Sequence, residues 1–110
     1  MKMVIAMIRP EQLPAVKQAL FDAGIRRLTA MPVQGTAPVA EQQHYRGVQR
    51  EVSLFHRMRL EVAVNDADLE TAITAICEGG RSTGGFGKIF VLDLHETVTI
   101  WNGERGARTL

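Results

Sequence analysis

The chain has little of several residue types that would reveal a function directly. Its 110 residues include one cysteine, Cys77, which excludes an intramolecular disulfide and a multi-cysteine zinc site. An excess of one charge is also missing, because thirteen Lys and Arg stand against twelve Asp and Glu and leave a net charge of +1. That balance supplies no field for capturing nucleic acid or an anionic membrane, so we expect neither as a partner.

Long hydrophobic runs and catalytic groupings are missing as well. No stretch approaches the roughly 18 to 20 apolar residues of a membrane span, and the N-terminus lacks the cleavage site of a secretory signal, so we expect a cytoplasmic protein without membrane insertion. No nucleophile has an identifiable base, and no carboxylate pair stands at a defined spacing, so we expect no enzymatic activity. At 110 residues with 45% hydrophobic side chains, the sequence predicts one domain over 1–110.

Apolar periodicity predicts the order of the secondary structure. The first predicted strand is an almost continuous apolar run, typical of burial, whereas residues 57–65 alternate like a half-covered strand. Pro10 fits the start of the first helix, and Gly24 fits its C-terminal cap. Asn65 or Asp66 is predicted to cap the second helix. Strands are predicted at 2–9, 25–34, 57–65, 88–94 and 97–101, and helices at 10–24 and 66–80, with Gly79 and Gly80 ending the second.

The two halves of the chain match in kind. Placing Leu13 on Leu69 also pairs apolar strand residues and helix residues between the halves: Val4 with Leu60, Ala6 with Val62, Ile8 with Val64 and Leu20 with Ile76. A duplicated βαβ unit in so short a chain predicts a ferredoxin-like α/β sandwich, with a four-stranded antiparallel sheet, helices on one face and a short fifth C-terminal strand. The other face is too apolar to remain in water, so we expect a homo-oligomer.

One long connection, at about 36–53, has no clear period. Structureless connections of this length are usually functional or disordered. This one carries His44, Tyr45, Arg46 and Arg50, whose side chains suit contact with a partner. We interpret it as a partner-binding loop, with a tolerated insertion as the alternative.

A second connection, at about 79–88 (GGRSTGGFGK), has five glycines in ten residues. Such a backbone lets N–H groups converge on an anion, and Lys88 adds a point charge suited to a phosphate. The segment is not a Walker A loop, because Ser82 stands where glycine is required and Ile89 follows Lys88. A plain flexible turn is the alternative.

The order of elements and several motifs resemble the P-II (GlnB-like) signal-transduction family over nearly the whole chain. The matching segments are the opening strand with Pro10, the helix AVKQALFDAGI, YRG at 45–47, RLEVAV, GKIFVLDL and the tail NGERG at 102–106. The resemblance implies a homotrimer with nucleotide sites in clefts between subunits. It also implies a long T-loop, here about 36–53, that docks on a membrane transporter or a metabolic enzyme.

The resemblance also implies roles for individual residues. Thr29 and Glu61 occupy positions that line the family's adenine pocket, and Gly85, Gly87 and Lys88 match its phosphate-facing B-loop. We therefore expect an adenine nucleotide, ADP, AMP or ATP, as the effector.

The chain departs from the family pattern at several of these positions, which makes it a divergent member. Thr99 and Trp101 replace two arginines that hold phosphates, and Phe86 replaces an aspartate between the loop glycines. Arg50 aligns with the tyrosine that many relatives nucleotidylylate, so that modification is not expected. Arg57 keeps the basic residue at the end of the T-loop, a possible contact for an effector or phosphate. The segment GTAPVAEQQ replaces the one that helps hold magnesium and 2-oxoglutarate, so we expect no usual site for that pair.

Two hypotheses of different class follow. The first is a trimeric regulator, in nitrogen or inorganic-carbon metabolism, whose T-loop responds to an adenine nucleotide. The second is a nucleotide-independent or metal-responsive adaptor, similar to P-II or CutA proteins and linked to a metal-efflux transporter. His44, His56 and His95 show no metal-ligand spacing, so no metal site is assigned. Cys77 is expected to be an inert buried thiol, and Trp101 either to pack simply or to cover a cleft or a subunit seam.

Overall fold

Two helices and one four-stranded sheet make up the fold. The computed structural model describes residues 1–37 and 53–110. Its elements in chain order are β1 (Lys2–Ile8), α1 (Leu13–Asp22), β2 (Thr29–Gly35), β3 (Phe55–Val64), α2 (Leu69–Arg81) and β4 (Lys88–Asp93). The strands pair antiparallel in the order β2-β3-β1-β4. This arrangement confirms the ferredoxin-like fold predicted from the duplicated βαβ unit.

The duplication extends to the way each helix begins. A single 3-10 turn precedes each helix, at Pro10–Gln12 before α1 and at Asp66–Asp68 before α2. These turns occupy the same place in the two halves when Leu13 is aligned with Leu69. Pro10 is tolerated because the first N–H groups of a helix have no partner within it.

The core lies between the two helices and one face of the sheet. Its most deeply buried apolar side chains come from both halves, as the repeat predicts: Val4, Ala6, Val16, Leu20, Leu60 and Val62 are at most 1% exposed. Removing side chains of this kind from water stabilises a fold by about 1.5 to 3 kcal/mol each. The predicted helical cap at Gly24 is confirmed, because its φ angle is +87°.

The second helix runs further than its glycines predict. Gly79 and Gly80 do not end α2 but lie buried inside it, and the helix continues to Arg81. The carbonyl oxygens of this last turn accept hydrogen bonds from the hydroxyls of Ser82 and Thr83. These hydroxyls satisfy the last carbonyl oxygens of the helix, so α2 ends at Arg81, past both glycines.

Two predicted strands begin at other residues, and a third predicted strand is not part of the sheet. β2 begins at Thr29 rather than at 25, and β3 begins at Phe55 rather than at 57. The fifth strand predicted at 97–101 is wrong, because within the described residues it is reduced to one isolated bridge between Val98 and Arg105. A strand needs a neighbouring ladder, and among the described residues the segment 97–101 pairs with none of the four strands of the sheet. Pro32 does lie in an edge strand, as its missing N–H predicts.

The sheet face away from the helices is apolar along its β4 side. Residues that pair across the strands share a face, so Ile5 of β1 and Phe90 of β4 lie side by side there, as do Met3 and Leu92. Phe90 is 48% exposed and Leu92 is 53% exposed. The predicted uncovered apolar face is therefore present. Among the described residues, no helix is long and apolar enough to cross a membrane.

Candidate functional site

Thr29 and Glu61, the residues expected at an adenine base, lie opposite each other in the sheet. They form a register pair between β2 and β3, and both line an open cavity of about 610 Å³. The Glu61 carboxylate accepts a hydrogen bond from Arg59 Nε at 3.2 Å. The structure therefore brings this predicted pair together beside a space large enough for a small molecule.

The same cavity has polar side chains that the sequence reasoning did not select. Asp68 and the arginines Arg26 and Arg27 reach it from the connections next to β2 and β3. Asn65 also lines it, and its Oδ1 is buried without a hydrogen-bond partner in the described part of the chain. The predicted cap is correct only in position, because Asn65 precedes the 3-10 turn but its side chain makes no cap hydrogen bond.

Gly85, Gly87 and Lys88 lie together in and beside the glycine-rich loop, which in the structure comprises residues 82–87. Gly85 and Gly87 have φ angles of +73° and +121°, a region that residues with a side chain rarely adopt. A Cβ on residue 87 would stand 2.4 Å from the carbonyl oxygen of Met7. Only glycine therefore lets the loop pass β1 this closely, and Lys88 then opens β4 opposite Met7.

This second group lines its own cavity. The cavity has a volume of about 480 Å³ and lies between α2, the glycine-rich loop and β4. Arg81 and Lys88 contribute two cations to its lining, and Cys77 lies there too. Cys77 is half-buried and free rather than fully buried, which corrects the expected buried thiol: the loop does not cover this stretch of α2.

The structure does not place the two predicted groups in one cavity. Thr29 belongs to β2 and Lys88 begins β4, and these strands are the two opposite edges of the sheet. Neighbouring strands are separated by about 4.8 Å, so three strand spacings put the two edges about 14 Å apart. One chain therefore carries two separate cavities, one beside Thr29 and Glu61 and the other beside Gly85, Gly87 and Lys88.

Gln12, which sequence reasoning missed, holds the glycine-rich loop. Its side chain is fully buried. Its Oε1 accepts a hydrogen bond from the Arg9 backbone N–H at 2.8 Å, and its Nε2 donates to the carbonyl oxygens of Gly80 at 3.1 Å and Phe86 at 2.9 Å. The first of these bonds is the half of a capping box in which the N3 side chain accepts from the N-cap N–H. Nothing in the sequence indicates the other two.

Phe86 joins the loop to the start of β3. Its ring lies 4.4 Å from the guanidinium carbon of Arg9 and 4.6 Å from that of Arg57. Arg57 is buried, with 7% of its surface exposed, and its Nη1 donates to the His56 carbonyl at 2.9 Å. Cation–π contacts of this kind contribute about 0.5 to 2 kcal/mol each. The expected effector contact Arg57 thus lies against the loop residue that replaces the family's aspartate.

The C-terminal hairpin carries the residues that replace the family's arginines. Thr99 is half-buried, its backbone N–H bonding to the Glu104 carbonyl at 2.8 Å. Trp101 is 88% exposed and Ile100 is fully exposed. Trp101 is therefore not packed among the described residues, which goes against simple packing and leaves a cleft or a subunit seam as the expected positions.

Metal ligation has little support in the described residues. Across 1–37 and 53–110, no three His, Cys, Asp or Glu side chains come close enough to hold a metal ion. His56 and His95 are exposed. The partner-loop residues His44, Tyr45, Arg46 and Arg50 lie outside the described residues.

Comparison with known proteins places the chain in a family. The family model described as nitrogen regulatory protein P-II matches residues 1–104. The chain is 40% identical to nitrogen regulatory protein GlnK1 of Methanosarcina mazei, with 100% of this chain and 97% of that protein covered. It is 35% identical to nitrogen regulatory protein P-II 2 of Methanothermobacter thermautotrophicus, with the same coverage.

A third relative gives a similar match. The chain is 36% identical to the nitrogen regulatory protein P-II of Rhodospirillum rubrum, with 96% of each chain covered. The family model, these relatives and the ferredoxin-like sheet all agree. This chain belongs to the nitrogen regulatory protein P-II family.

Proposed function

We propose that this protein is a homotrimeric cytoplasmic regulator that binds an adenine nucleotide between its subunits. Thr29 and Glu61 of one copy hold the base and ribose, while the glycine-rich loop and Lys88 of the next copy hold the phosphates. Occupancy changes the segment 36–53, which controls a membrane transporter or a metabolic enzyme in nitrogen or inorganic-carbon metabolism.

The coarser part of this function rests on the family itself. P-II proteins are signal-transduction regulators and not enzymes, and the relatives above are named nitrogen regulatory proteins. The chain is therefore a regulator. The nucleotide, the trimer and the type of partner are the proposal.

The observation that carries the proposal is that Thr29 and Lys88 lie on opposite edge strands of one sheet, each beside its own cavity, and we take each cavity as half of a nucleotide site. A ring of identical copies uses two different surfaces of each copy, so that one edge of each copy faces the opposite edge of the next. In such a ring the cavity beside Thr29 meets the loop beside Lys88 of the neighbour. Three copies complete three sites, whereas one chain completes none.

Exposed apolar side chains support the assembly. Phe90 and Leu92 on the uncovered sheet face, and Ile100 and Trp101 on the C-terminal hairpin, are each at least 48% exposed. Apolar surface of this extent usually marks an interface. A trimer removes it from water and places Trp101 at a subunit boundary.

The charges near the loop favour few phosphates. Lys88 and Arg81 supply two cations in the described residues around the second cavity, and Thr99 and Trp101 add none. Charge-assisted hydrogen bonds contribute about 1.5 to 3 kcal/mol each. We therefore expect ADP or AMP to bind as well as ATP, rather than the affinity rising with each phosphate.

A physical route leads from the site to the partner loop. Gly35 and Phe55 are the last register pair of β2 and β3, so the two ends of the segment 36–53 leave the sheet side by side. Arg57, two residues into β3, contacts the ring of Phe86 in the glycine-rich loop. A ligand that binds one arrangement of this contact better than another shifts the population of loop states.

Calorimetric titration tests the nucleotide part. Wild-type protein is titrated with adenosine, AMP, ADP and ATP, and the titrations are repeated with Lys88→Ala and with Lys17→Ala, a control at an exposed lysine of α1. We expect micromolar binding of at least one nucleotide and a loss of about tenfold or more for ADP in Lys88→Ala only, because one charged contact is removed. Magnesium with 2-oxoglutarate is expected to change these affinities little. Absence of binding by all four ligands contradicts the proposal and favours the nucleotide-independent adaptor.

Hydrogen exchange tests the regulatory part. Exchange of the amides in 36–53 is compared with and without a saturating nucleotide, with amides of α1 as the internal control. The proposal predicts a change in 36–53 and none in α1. Unchanged exchange in a protein that does bind nucleotide contradicts control through this segment.

A further inference from the structure

We propose that Gln12 is a positioning residue whose buried carboxamide fixes the glycine-rich loop in the conformation that holds nucleotide phosphates. This inference rests on the proposed function for the phosphates. Its first part, that Gln12 sets the loop conformation, stands on the contacts of this chain alone.

The Gln12 carboxamide uses its donors fully. Both hydrogens of Nε2 go to carbonyl oxygens, of Gly80 and Phe86, and Oε1 accepts from the Arg9 N–H. Two carbonyls on one side and one N–H on the other determine which end of the amide is nitrogen. Because Gln12 is fully buried, water cannot replace any partner that is lost.

These contacts tie together the two ends of the loop. Gly80 lies in the last turn of α2, and Phe86 comes just before β4. Within the loop, the Gly80 carbonyl also accepts the Gly85 N–H at 2.8 Å. The Gln12 side chain therefore fixes both the end of α2, where the backbone enters the loop, and Phe86, where the backbone leaves the loop for β4.

The clamp acts next to the most constrained residue of the loop. Gly87 directly follows the clamped carbonyl of Phe86, has a φ of +121°, and passes the Met7 carbonyl too closely for any Cβ. Lys88 comes immediately after. The direction in which Lys88 and the Gly85–Gly87 backbone face a ligand thus depends on where Gln12 holds residue 86.

The second half of the duplicated fold shows whether a buried side chain is needed at this position merely to begin the helix. The counterpart of Gln12 in the second half is Asp68, at the end of the equivalent 3-10 turn. Asp68 is exposed and makes no side-chain cap bond, yet α2 begins there in the same way. A buried amide is therefore not needed to start the helix, and the burial of Gln12 is explained by the loop it holds.

The test combines two readouts. Gln12→Met keeps the length of the side chain and removes all three hydrogen bonds. Gln12→Asn keeps the amide but is too short to reach both carbonyl oxygens, and it replaces the first variant if that variant does not fold. Gln18→Met is the control, because Gln18 lies exposed on α1 and bonds only locally to Asp22. For each, the exchange of the Thr83 and Gly85 amides is measured without ligand, and the dissociation constants of ADP and adenosine are measured well below the melting temperature.

Positioning predicts a specific pattern. Exchange at Gly85 becomes about tenfold faster or more while mid-α2 amides stay unchanged, and ADP binding weakens about tenfold with adenosine much less affected. Unchanged exchange at Gly85, or equal weakening of ADP and adenosine, overturns the inference. If wild-type protein binds neither ligand, the proposed function is wrong, and so is the role given to Gln12 in phosphate binding. The exchange rate of the Gly85 amide then still tests whether Gln12 fixes the conformation of the loop.

Discussion

Gly79 of α2 lies directly against the backbone of Val16 in α1. A Cβ on residue 79 would stand 2.7 Å from Val16 Cα and 2.8 Å from the Ala15 carbonyl oxygen. The missing side chain is what allows the two helices to cross this closely. This contact also explains why Gly79 does not end its helix, since the packing of α1 stabilises a residue that helix propensity disfavours.

Gly79→Ala is therefore predicted to destabilise the protein by about 2 kcal/mol or more, because two backbones must separate to admit the methyl group. Gly80→Ala is the matched control. Its Cβ meets only Gln12 Nε2 at 3.7 Å, an ordinary contact, so better helix propensity should make it neutral or stabilising by about 0.5 to 1 kcal/mol. Urea unfolding measures both, and equal effects of the two substitutions contradict the role given to Gly79.

Gly87→Ala is predicted to weaken both β4 pairing and nucleotide binding. The substitution adds a side chain at a φ of +121° and 2.4 Å from the Met7 carbonyl. Gly84→Ala is the control, because Gly84 also has a positive φ, +111°, but a Cβ there meets nothing within 4 Å. We expect Gly87→Ala to lose about tenfold or more ADP affinity relative to Gly84→Ala, measured by calorimetry on folded protein. Equal affinities would show that the approach to β1 is unimportant for the site.

The Lys2–Asp93 ion pair is predicted to make stability depend on pH at both extremes. The hydrogen bond and charge of Asp93 raise the pKa of Lys2 above its ordinary 10.5, and the same contact with Lys2 lowers the pKa of Asp93 below 3.8. The contribution is therefore lost as pH falls through the lowered pKa of Asp93, and as pH rises through the raised pKa of Lys2.

Asp93→Asn should lower the melting temperature slightly at pH 7, and the difference from wild type should disappear as the pH is lowered through the pKa of Asp93. The effect is small because Asp93 is 87% exposed, and it should shrink further in high salt. Thermal melts at several pH values measure it. A difference that persists unchanged at low pH and in high salt shows that the pair does not cause it.

Restoring the family's charges is predicted to restore preference for more phosphates. In Thr99→Arg with Trp101→Arg, ATP affinity should rise about tenfold or more while AMP affinity changes less, because the added cations act on the outer phosphates. Ile100→Arg with Asn102→Arg adds the same charge at neighbouring positions and is the control. An equal gain in ATP affinity in both double variants would contradict the prediction, because it would show that the added positive charge acts at long range and not through contacts at positions 99 and 101.

Much of the fold could be predicted because the two halves of the chain carry apolar side chains at equivalent positions. Val4, Leu20, Leu60 and Ile76 recur at matching places, and each is buried as the pattern requires. The end of α2 could not be predicted, because Gly79 is explained by a contact with Val16, far away in the chain. The same limit explains the absent fifth strand, since an apolar run forms a strand only where a neighbour offers a ladder.

The candidate site was only partly predictable for a related reason. Family motifs predict Thr29 and Glu61 as site residues, and the structure pairs them across two strands. The same motifs predict Gly87 and Lys88, which are neighbours in the chain. Gln12 was missed because a glutamine in a first helical turn usually faces water, and only the return of the chain some seventy residues later buries it.

The most direct test of the account is to mix two variants that each bind ADP weakly. Glu61→Ala removes the base half-site and Lys88→Ala removes the phosphate half-site, and the two are unfolded together, refolded as mixed trimers and titrated with ADP. Sites shared between neighbours predict that about a quarter of the sites pair an intact cavity with an intact loop and bind as in wild type. Refolded mixtures that bind no better than either variant alone, in protein shown to be trimeric, would contradict a nucleotide site completed between subunits.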